Sequence, residues 1–459
     1  MSTVEQVTVL GKYQPYPEYK DSGEWVGLMP SFWEMKALKY LVSCNNEVLS
    51  EATEPDYEFE YIDIGGVSAS EGITRTETMK FSGSPSRARR IVRQGDIIVS
   101  TVRTYLEAIA PISLEHDNKI VSTGFAVLRP KYLLSEFARY ALRARYFIDS
   151  VVARSTGVSY PAINSSDLIN IRVAVPSQQE QRTIAAFLDY ETARIDKLIS
   201  QQQRLIELLK EKRQAVISHA VTKGLYPDAP MKDSGVEWLG KVPEHWDEIP
   251  LKTVISLKHG FAFDGNKFSD TGEYIIMTPG NFTEQGGFRP KVPEKYYVGN
   301  DFSKEYILSA GQLLVAMTEQ APGLLGSALF VPSKGCYLHN QRLGLVTDVR
   351  VNKITEQYLF HLFNSPRYRA EVSVSATGAK VRHSSTEKML SIKVFLPSIF
   401  EQKQIIEYLE DKLTSLERLN EKALLGIVLL QERRAALISA AVTGKIDLRG
   451  WTLPGEVTS

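Results

Sequence analysis

Arginine is the residue type whose placement in this chain most suggests chemistry. The stretch "SRARRIVR" sets Arg87, Arg89, Arg90 and Arg93 within seven residues. Two Thr-Gly pairs gather further cations: Arg143, Arg145 and Arg154 lie near Thr156-Gly157, and Arg367, Arg369, Lys380 and Arg382 near Thr377-Gly378. Guanidinium and ammonium groups on one face neutralise phosphates, which gives salt-dependent affinity that is blind to base sequence. Some could also reach guanine edges in a major groove. Any single one of these residues is more simply a solvated surface charge; it is the grouping that points to a polyanion. Arg87, Arg89, Arg90, Arg103, Arg154, Lys380 and Arg382 are the expected phosphate or base contacts, with Tyr160 and His383 beside the Thr-Gly pairs.

Catalytic chemistry has no comparable signature. The chain lacks a GxxxxGK[ST] phosphate loop, a GxGxxG after a strand, an HExxH pair and the Asn/Asp-Pro-Pro-aromatic motif of amino-methyltransferases. Its seven histidines are scattered, and Glu58, Glu60 and Asp63 sit on an alternating strand pattern that needs no catalytic reading. No cofactor or metal site is expected on this chain.

The elements that must hold the basic residues emerge from an internal repeat. "STGVSYPAINSSDLINIRVAVPSQQEQRTIAAFLD" from Ser155 is echoed by "ATGAKVRHSSTEKMLSIKVFLPSIFEQKQIIEYLE" from Ala376. Gly157 pairs with Gly378, Pro176 with Pro397 and Glu180-Gln181 with Glu401-Gln402, always 221 residues apart, and "KRQAVISHAVT" matches "RRAALISAAVT" at the same offset. A second echo, "KDSGEWVGLMPSFW" and "KDSGVEWLGKVPEHW", opens each half. Between these shared phrases the similarity fades, so the plan alternates a variable domain with a shared helix, twice.

In the shared segment Ile184, Leu188, Ile195, Leu198, Leu205, Leu209 and Val216 alternate by three and four, and the second copy supplies Ile405, Leu409, Leu416, Leu419, Ala423, Leu430 and Leu437. No proline interrupts either run, and Pro176 and Pro397 stand just before the starts. A helix of this length is roughly 65 Å long. Its single apolar seam needs a partner, and a pseudo-twofold relation between equivalent halves predicts antiparallel pairing, with Leu188, Leu198, Leu205, Leu416, Leu419 and Leu430 as interhelical core. The opening phrase then reads as one joint used twice, with Trp25/Trp238 and Trp33/Trp246 as packing residues. The variable regions carry strand-like runs such as "GDIIVSTV" and "GQLLVAMT". Aligning those two runs places Arg103 opposite Glu319.

The expected fold class is therefore α+β: two mixed α/β globular domains joined by two long antiparallel coiled-coil helices in a pseudo-twofold repeat. The expected boundaries are 1–177 for the first variable domain, 178–224 for the central helix, 225–398 for the second domain, 399–446 for the C-terminal helix and 447–459 for a tail.

Composition bounds the setting. Lys and Arg balance Asp and Glu at 54 each, so any basic face is local. Two cysteines without a CxxC pair suit a reducing cytoplasm. The N-terminal residues lack the basic-then-apolar pattern of a secretion signal, and the apolar run "LLGIVLL" falls far short of the roughly 20 residues a membrane span requires.

The duplicated joint, the helix entries "VAVPSQQEQRTIAAFLD" and "VFLPSIFEQKQIIEYLE", and the helix ends "KRQAVISHAVTKGL" and "RRAALISAAVTGKIDL" together resemble the specificity subunits of type I restriction-modification systems. The resemblance covers the full length; only the first joint departs, being one residue shorter than the second. It implies that each variable region is a target recognition domain reading one half of a bipartite DNA sequence. It further implies a helical spacer that docks two methyltransferase subunits, which flip and methylate adenine, and restriction/motor subunits that cleave. S-adenosylmethionine, ATP and Mg would then belong to partner subunits, and the chain itself would be a non-catalytic, cytoplasmic, double-stranded-DNA reader with no membrane partner. Because the two variable regions differ, the expected target is asymmetric, and a change in helix length is expected to alter the gap alone. The rival readings are a coiled-coil scaffold whose variable domains bind protein, and a single-chain nuclease-methyltransferase fusion, which the missing motifs disfavour.

Overall fold

A computed structural model describes residues 13–454 apart from 24, 70, 237–238, 284–285, 320–322 and 379–381. In chain order its α-helices are α1 (Ser135–Ala141), α2 (Arg145–Ala153), α3 (Ser165–Ile169), the long α4 (Gln178–Lys223), α5 (Glu356–Phe363), α6 (Pro366–Ser375), α7 (Thr386–Ser391) and the long α8 (Ile399–Val442). Two compact units result. One comprises Met1–Gln202 with Leu425–Ser459, the other Gln203–Leu424. Each unit therefore owns one half of each long helix.

The globular part of the first unit is built on a four-stranded antiparallel sheet in the order Ile109–Pro111, Ile97–Ser100, Phe125–Pro130, Val42–Cys44. "IIVS" in its interior is buried at every position, as a strand covered on both faces must be. Alternation sorts the side chains: Ile97 and Val99 join the core with Phe137, Phe147 and the helices, while Ile98 points into a second core beneath the other sheet. That other sheet runs Glu77–Lys80, Glu58–Ile62, Ile120–Ser122, Ala88–Ile91, with Ile120–Ser122 parallel to Glu58–Ile62.

The second unit repeats this topology on unrelated residues. Ala328–Phe330, Leu313–Ala316, Leu343–Thr347 and Ser256–His259 form the first sheet. In the second, Cys336–His339 runs parallel to Tyr274–Met277 and antiparallel to Ile307–Leu308. Leu313 and Val315 face one core, Leu314 and Ala316 the other. The expected match of "GDIIVSTV" with "GQLLVAMT" is thus a shared central strand.

Both long helices begin the same way. Ser177 and Glu180 cap each other reciprocally at 3.3 Å, Ser398 accepts from the Glu401 N–H at 3.2 Å, and Gln181 and Gln402 each donate to a carbonyl, Pro176 or Pro397, at 3.0 Å. They also end alike, at Gly224 and Gly444 in the left-handed conformation. The repeated opening phrase forms a hairpin in each unit, Tyr19–Asp21 with Leu28–Pro30 and Met231–Asp233 with Lys241–Pro243. Beyond each hairpin a buried tryptophan donates its indole N–H to the glutamate at a helix start: Trp33 to Glu180 at 3.3 Å, Trp246 to Glu401 at 3.1 Å. A Cβ at Gly444 would meet Pro30 at 2.3 Å and Trp33 at 3.2 Å; one at Gly224 would meet Trp246 at 3.3 Å. The phrase occurs twice because each unit needs one such clasp, holding the start of one helix and the end of the other.

The pairing is antiparallel. Asp196 meets Arg434 at 2.9 Å in the first unit, and Glu417 meets Arg213 at 2.9 Å in the second. These are the same ion pair under the 221-residue repeat.

Two expectations about packing are corrected. Leu188 is buried, and Leu416 and Leu430 pack against the cores, but Leu198, Leu205 and Leu419 leave 42%, 40% and 49% of their surface exposed. Near the helix ends a globular domain adds a third layer over the seam, whereas farther in, two helices alone do not close over a leucine. Trp25 is likewise exposed, and Trp238 lies outside the described residues.

Candidate nucleic-acid interface

In the first unit the strand Ile97–Ser100 runs into a tight turn. Arg103 (φ 51°) and Glu107 (φ 52°), both left-handed, bracket the single turn Thr104–Leu106. Non-glycine residues are costly in that conformation and persist only where the surroundings dictate it. The dictation comes from the Thr-Gly segment. Thr156 and Ala162 exchange two N–H···O=C bonds at 2.9 Å, closing a small loop, while the Thr104 N–H donates to Pro161 and the Thr104 hydroxyl to Ser155 at 2.8 Å. At this junction the Arg103 guanidinium lies 5.1 Å above the Tyr160 ring, with Tyr105, Val158 and Tyr160 exposed around it. A guanidinium stacked on an aromatic keeps its outer N–H fork free and pre-aimed.

The second unit builds the same junction. Thr377 and His383 exchange N–H···O=C bonds at 2.9 and 2.8 Å, and Thr318, which matches Val102, bridges to His383 through backbone and through a 2.9 Å bond between its hydroxyl and His383 Nδ1. Arg382 donates to the Ser373 hydroxyl, and its carbonyl accepts the Glu319 N–H at 2.9 Å. Lys380 lies outside the described residues.

The structure thus brings together Arg103 with Tyr160, and Arg382 with His383. It disperses the other expected contacts. Residues 88–91 form an edge strand, so adjacent side chains point to opposite faces. Arg87 pairs with Asp63 at 3.0 Å and donates to the Tyr61 hydroxyl at 3.3 Å. Arg89 lies 4.8 Å over Phe81. Arg90 turns inward to the Phe125 carbonyl, and burial lowers its pKa. Arg93 is held by Glu47 at 2.7 Å. Arg154 donates to the Ser150 carbonyl at the end of α2. Among the described residues no cluster of His, Cys, Asp and Glu could hold a metal ion, and no helix is long and apolar enough to cross a membrane.

A family model described as "Type I restriction modification DNA specificity domain" matches residues 30–208 and again 243–425, most of the chain in two copies. The chain belongs to the type I restriction-modification DNA specificity family. Two similar proteins come from Methanocaldococcus jannaschii. The type I restriction enzyme MjaVIII specificity subunit is 24% identical over 74% of this chain and 73% of its own length. The putative MjaX specificity subunit is 21% identical over 95% and 99%. Among solved structures, a chain from work on assembly and conformational transition of the type I R-M system superimposes with a TM-score of 0.69 at 19% identity, covering 91% of this chain and 99% of that one. The HsdS subunit from Thermoanaerobacter tengcongensis gives 0.52 at 20%, covering 91% and 98%. These likenesses establish the family's two-domain, two-helix fold for this sequence.

Within that fold, sequence reasoning missed one group of side chains. Arg289, Lys291 and Arg342 lie on segments that meet where Met277 pairs with His339 in the second unit, and burial first, then Arg342 and Arg289, hold Lys291 below the ordinary lysine range. Lys291 Nζ donates to the Thr278 hydroxyl at 2.5 Å. Buried Asn281 grips the Arg289 backbone at 2.7 and 3.2 Å, and Asn340 accepts from the Arg342 N–H at 3.1 Å. Arg342 lies 53 and 51 positions beyond Arg289 and Lys291, so no local charge run announces the group.

Proposed function

We propose that this chain is the DNA-specificity subunit of a type I restriction-modification complex and that each globular domain reads one half of a split, asymmetric target in double-stranded DNA. The observation that carries this reading is the pair of repeat-equivalent junctions. The same backbone bonds close both, while the side chains presented differ: Arg103 and Tyr160 in one, Glu319, Arg382 and His383 in the other. One scaffold with two sets of recognition groups suits two unlike half-sites. Arg103, braced on Tyr160, has the geometry for bidentate contact with guanine. The long helices α4 and α8 serve as a spacer of fixed length and as the surface on which two methyltransferase subunits, and through them restriction/motor subunits, assemble. Recognition belongs to this chain; S-adenosylmethionine, ATP and Mg belong to the partners, in the cytoplasm.

The test is co-expression with the cognate methyltransferase subunit, followed by sequencing of adenine methylation in host DNA. A single split, asymmetric motif methylated on both strands is the expected result. A stable complex that leaves the DNA unmethylated would shift weight to the scaffold reading.

A further inference from the structure

We infer that the second domain grips the DNA backbone through a phosphate site formed by Arg289, Lys291 and Arg342. This rests on the DNA-reading assignment above. Five of the first domain's cations are held by its own carboxylates: Arg87 by Asp63 at 3.0 Å, Arg93 by Glu47 at 2.7 Å, Arg129 by Asp96 at 2.8 Å, Lys119 by Glu60 at 2.9 Å, and Arg145 by Glu107 and Asp149 at 2.7 Å each. A phosphate must compete with a bound carboxylate at every one of them. In the second domain, Lys258, Lys267, Lys295 and Lys393 are similarly matched. Among the described residues no carboxylate pairs with Arg289, Lys291 or Arg342; Lys291 reaches the Thr278 hydroxyl just past Met277, whose strand partner His339 is followed by Asn340 and Arg342.

Asn281 fixes the backbone of Arg289, Asn340 that of Arg342 and the Thr278 hydroxyl the Lys291 ammonium. Like charges anchored on neighbouring segments repel one another until an anion arrives, and Arg–phosphate bonds are among the strongest charge-assisted contacts. The site also lies next to the recognition junction. The Arg342 carbonyl accepts the Met317 N–H at 3.0 Å, one residue before the Thr318 that bridges His383. In the first domain the corresponding bond runs from the Thr101 N–H to Gly124 at 2.8 Å. A Cβ at Gly124 would fall 2.6 Å from Ile64 Cδ1, so that domain packs apolar side chain where the second places a guanidinium.

The experiment is DNA binding by the complete methyltransferase complex, on the motif found by methylation sequencing, across a salt series. Each lost phosphate contact lowers the slope of log K against log salt by about 0.9. The R289Q/K291Q/R342Q variant is expected to flatten the slope by roughly 2–3 and the single exposed R342Q by about 0.9, with the methylated motif unchanged. R87Q/R93Q is expected to change it by less than about 1. R342Q guards against a folding defect in the triple variant, and thermal unfolding of each is measured alongside. A wild-type slope in both R342Q and a folded triple variant overturns the inference, as does an altered motif. If the wild-type complex itself binds DNA without salt dependence or motif, it is the specificity-subunit reading that fails.

Discussion

Arg103 shows how much one residue can be asked to do. Its backbone sits in the left-handed region, its guanidinium rests on Tyr160, and its neighbour Thr104 is tied to the Thr-Gly loop by two bonds. Replacing it with alanine removes the fork while the turn keeps its backbone ties. We expect R103A to relax one or two base positions in a single half-site, a loss of about 1–3 kcal/mol in discrimination, and to leave the other half-site intact. Methylation sequencing reads both outcomes at once, and relaxation in both half-sites would argue against the assignment. Tyr160→Phe should keep the stacking and the motif, whereas Tyr160→Leu should behave as a weaker form of R103A. The contrast with Arg87, Arg89, Arg90 and Arg93 is instructive: four arginines in seven residues look like a basic patch, yet strand alternation sends them to different partners. Only knowledge of that strand's register would have separated them.

At the level of elements, the long helices were legible because a seam repeating every three and four residues, copied 221 positions later, leaves few alternatives. What the pattern did not reveal is where a third layer covers the seam. Leu188 is buried among Phe187, Trp33 and the end of α8, while Leu205 remains 40% exposed. Leu188→Ala should therefore cost about 2–5 kcal/mol in urea unfolding of the first unit, and Leu205→Ala about 1 kcal/mol or less. The helix ends make a sharper case. Gly444 combines a φ of +69° with Pro30 lying 2.3 Å from where a Cβ would go. Gly444→Ala should cost at least about 1–2 kcal/mol from backbone conformation alone, and more from displacing the Trp33 clasp; calorimetry would register it as an earlier transition. Of the topology shared by the two globular domains only the central strand was legible, through the match of "IIVS" with "LLVA"; the order and pairing of the others were not, since strands buried on both faces require only apolar bulk at given positions.

For the whole molecule, acid is expected to act unevenly. His339 and His361, both buried in the second unit, have pKa values pushed down to about 4, chiefly by burial, with Lys258 and His259 adding to the effect at His339 and Arg213 at His361. Both are neutral when folded. An unfolded histidine takes up its proton near pH 6.5, so stability is full above that value and falls as pH drops towards 4, by about 3 kcal/mol per histidine. Unfolding followed between pH 7 and 4 should show the second unit failing first, and His361→Gln should flatten its slope; a parallel decline in both units would refute the assignment. The division of the chain into Met1–Gln202 with Leu425–Ser459, and Gln203–Leu424, has a further consequence during synthesis. The second unit is one continuous stretch and can consolidate while translation continues. The first cannot close its core, because Leu437, Ala441, Val442 and Leu448 must still arrive to cover Trp33, Phe187 and Leu188. The domain made first is thus completed last, and a ribosome that stops anywhere in the final turns of α8 releases a protein with one finished reader and one left open.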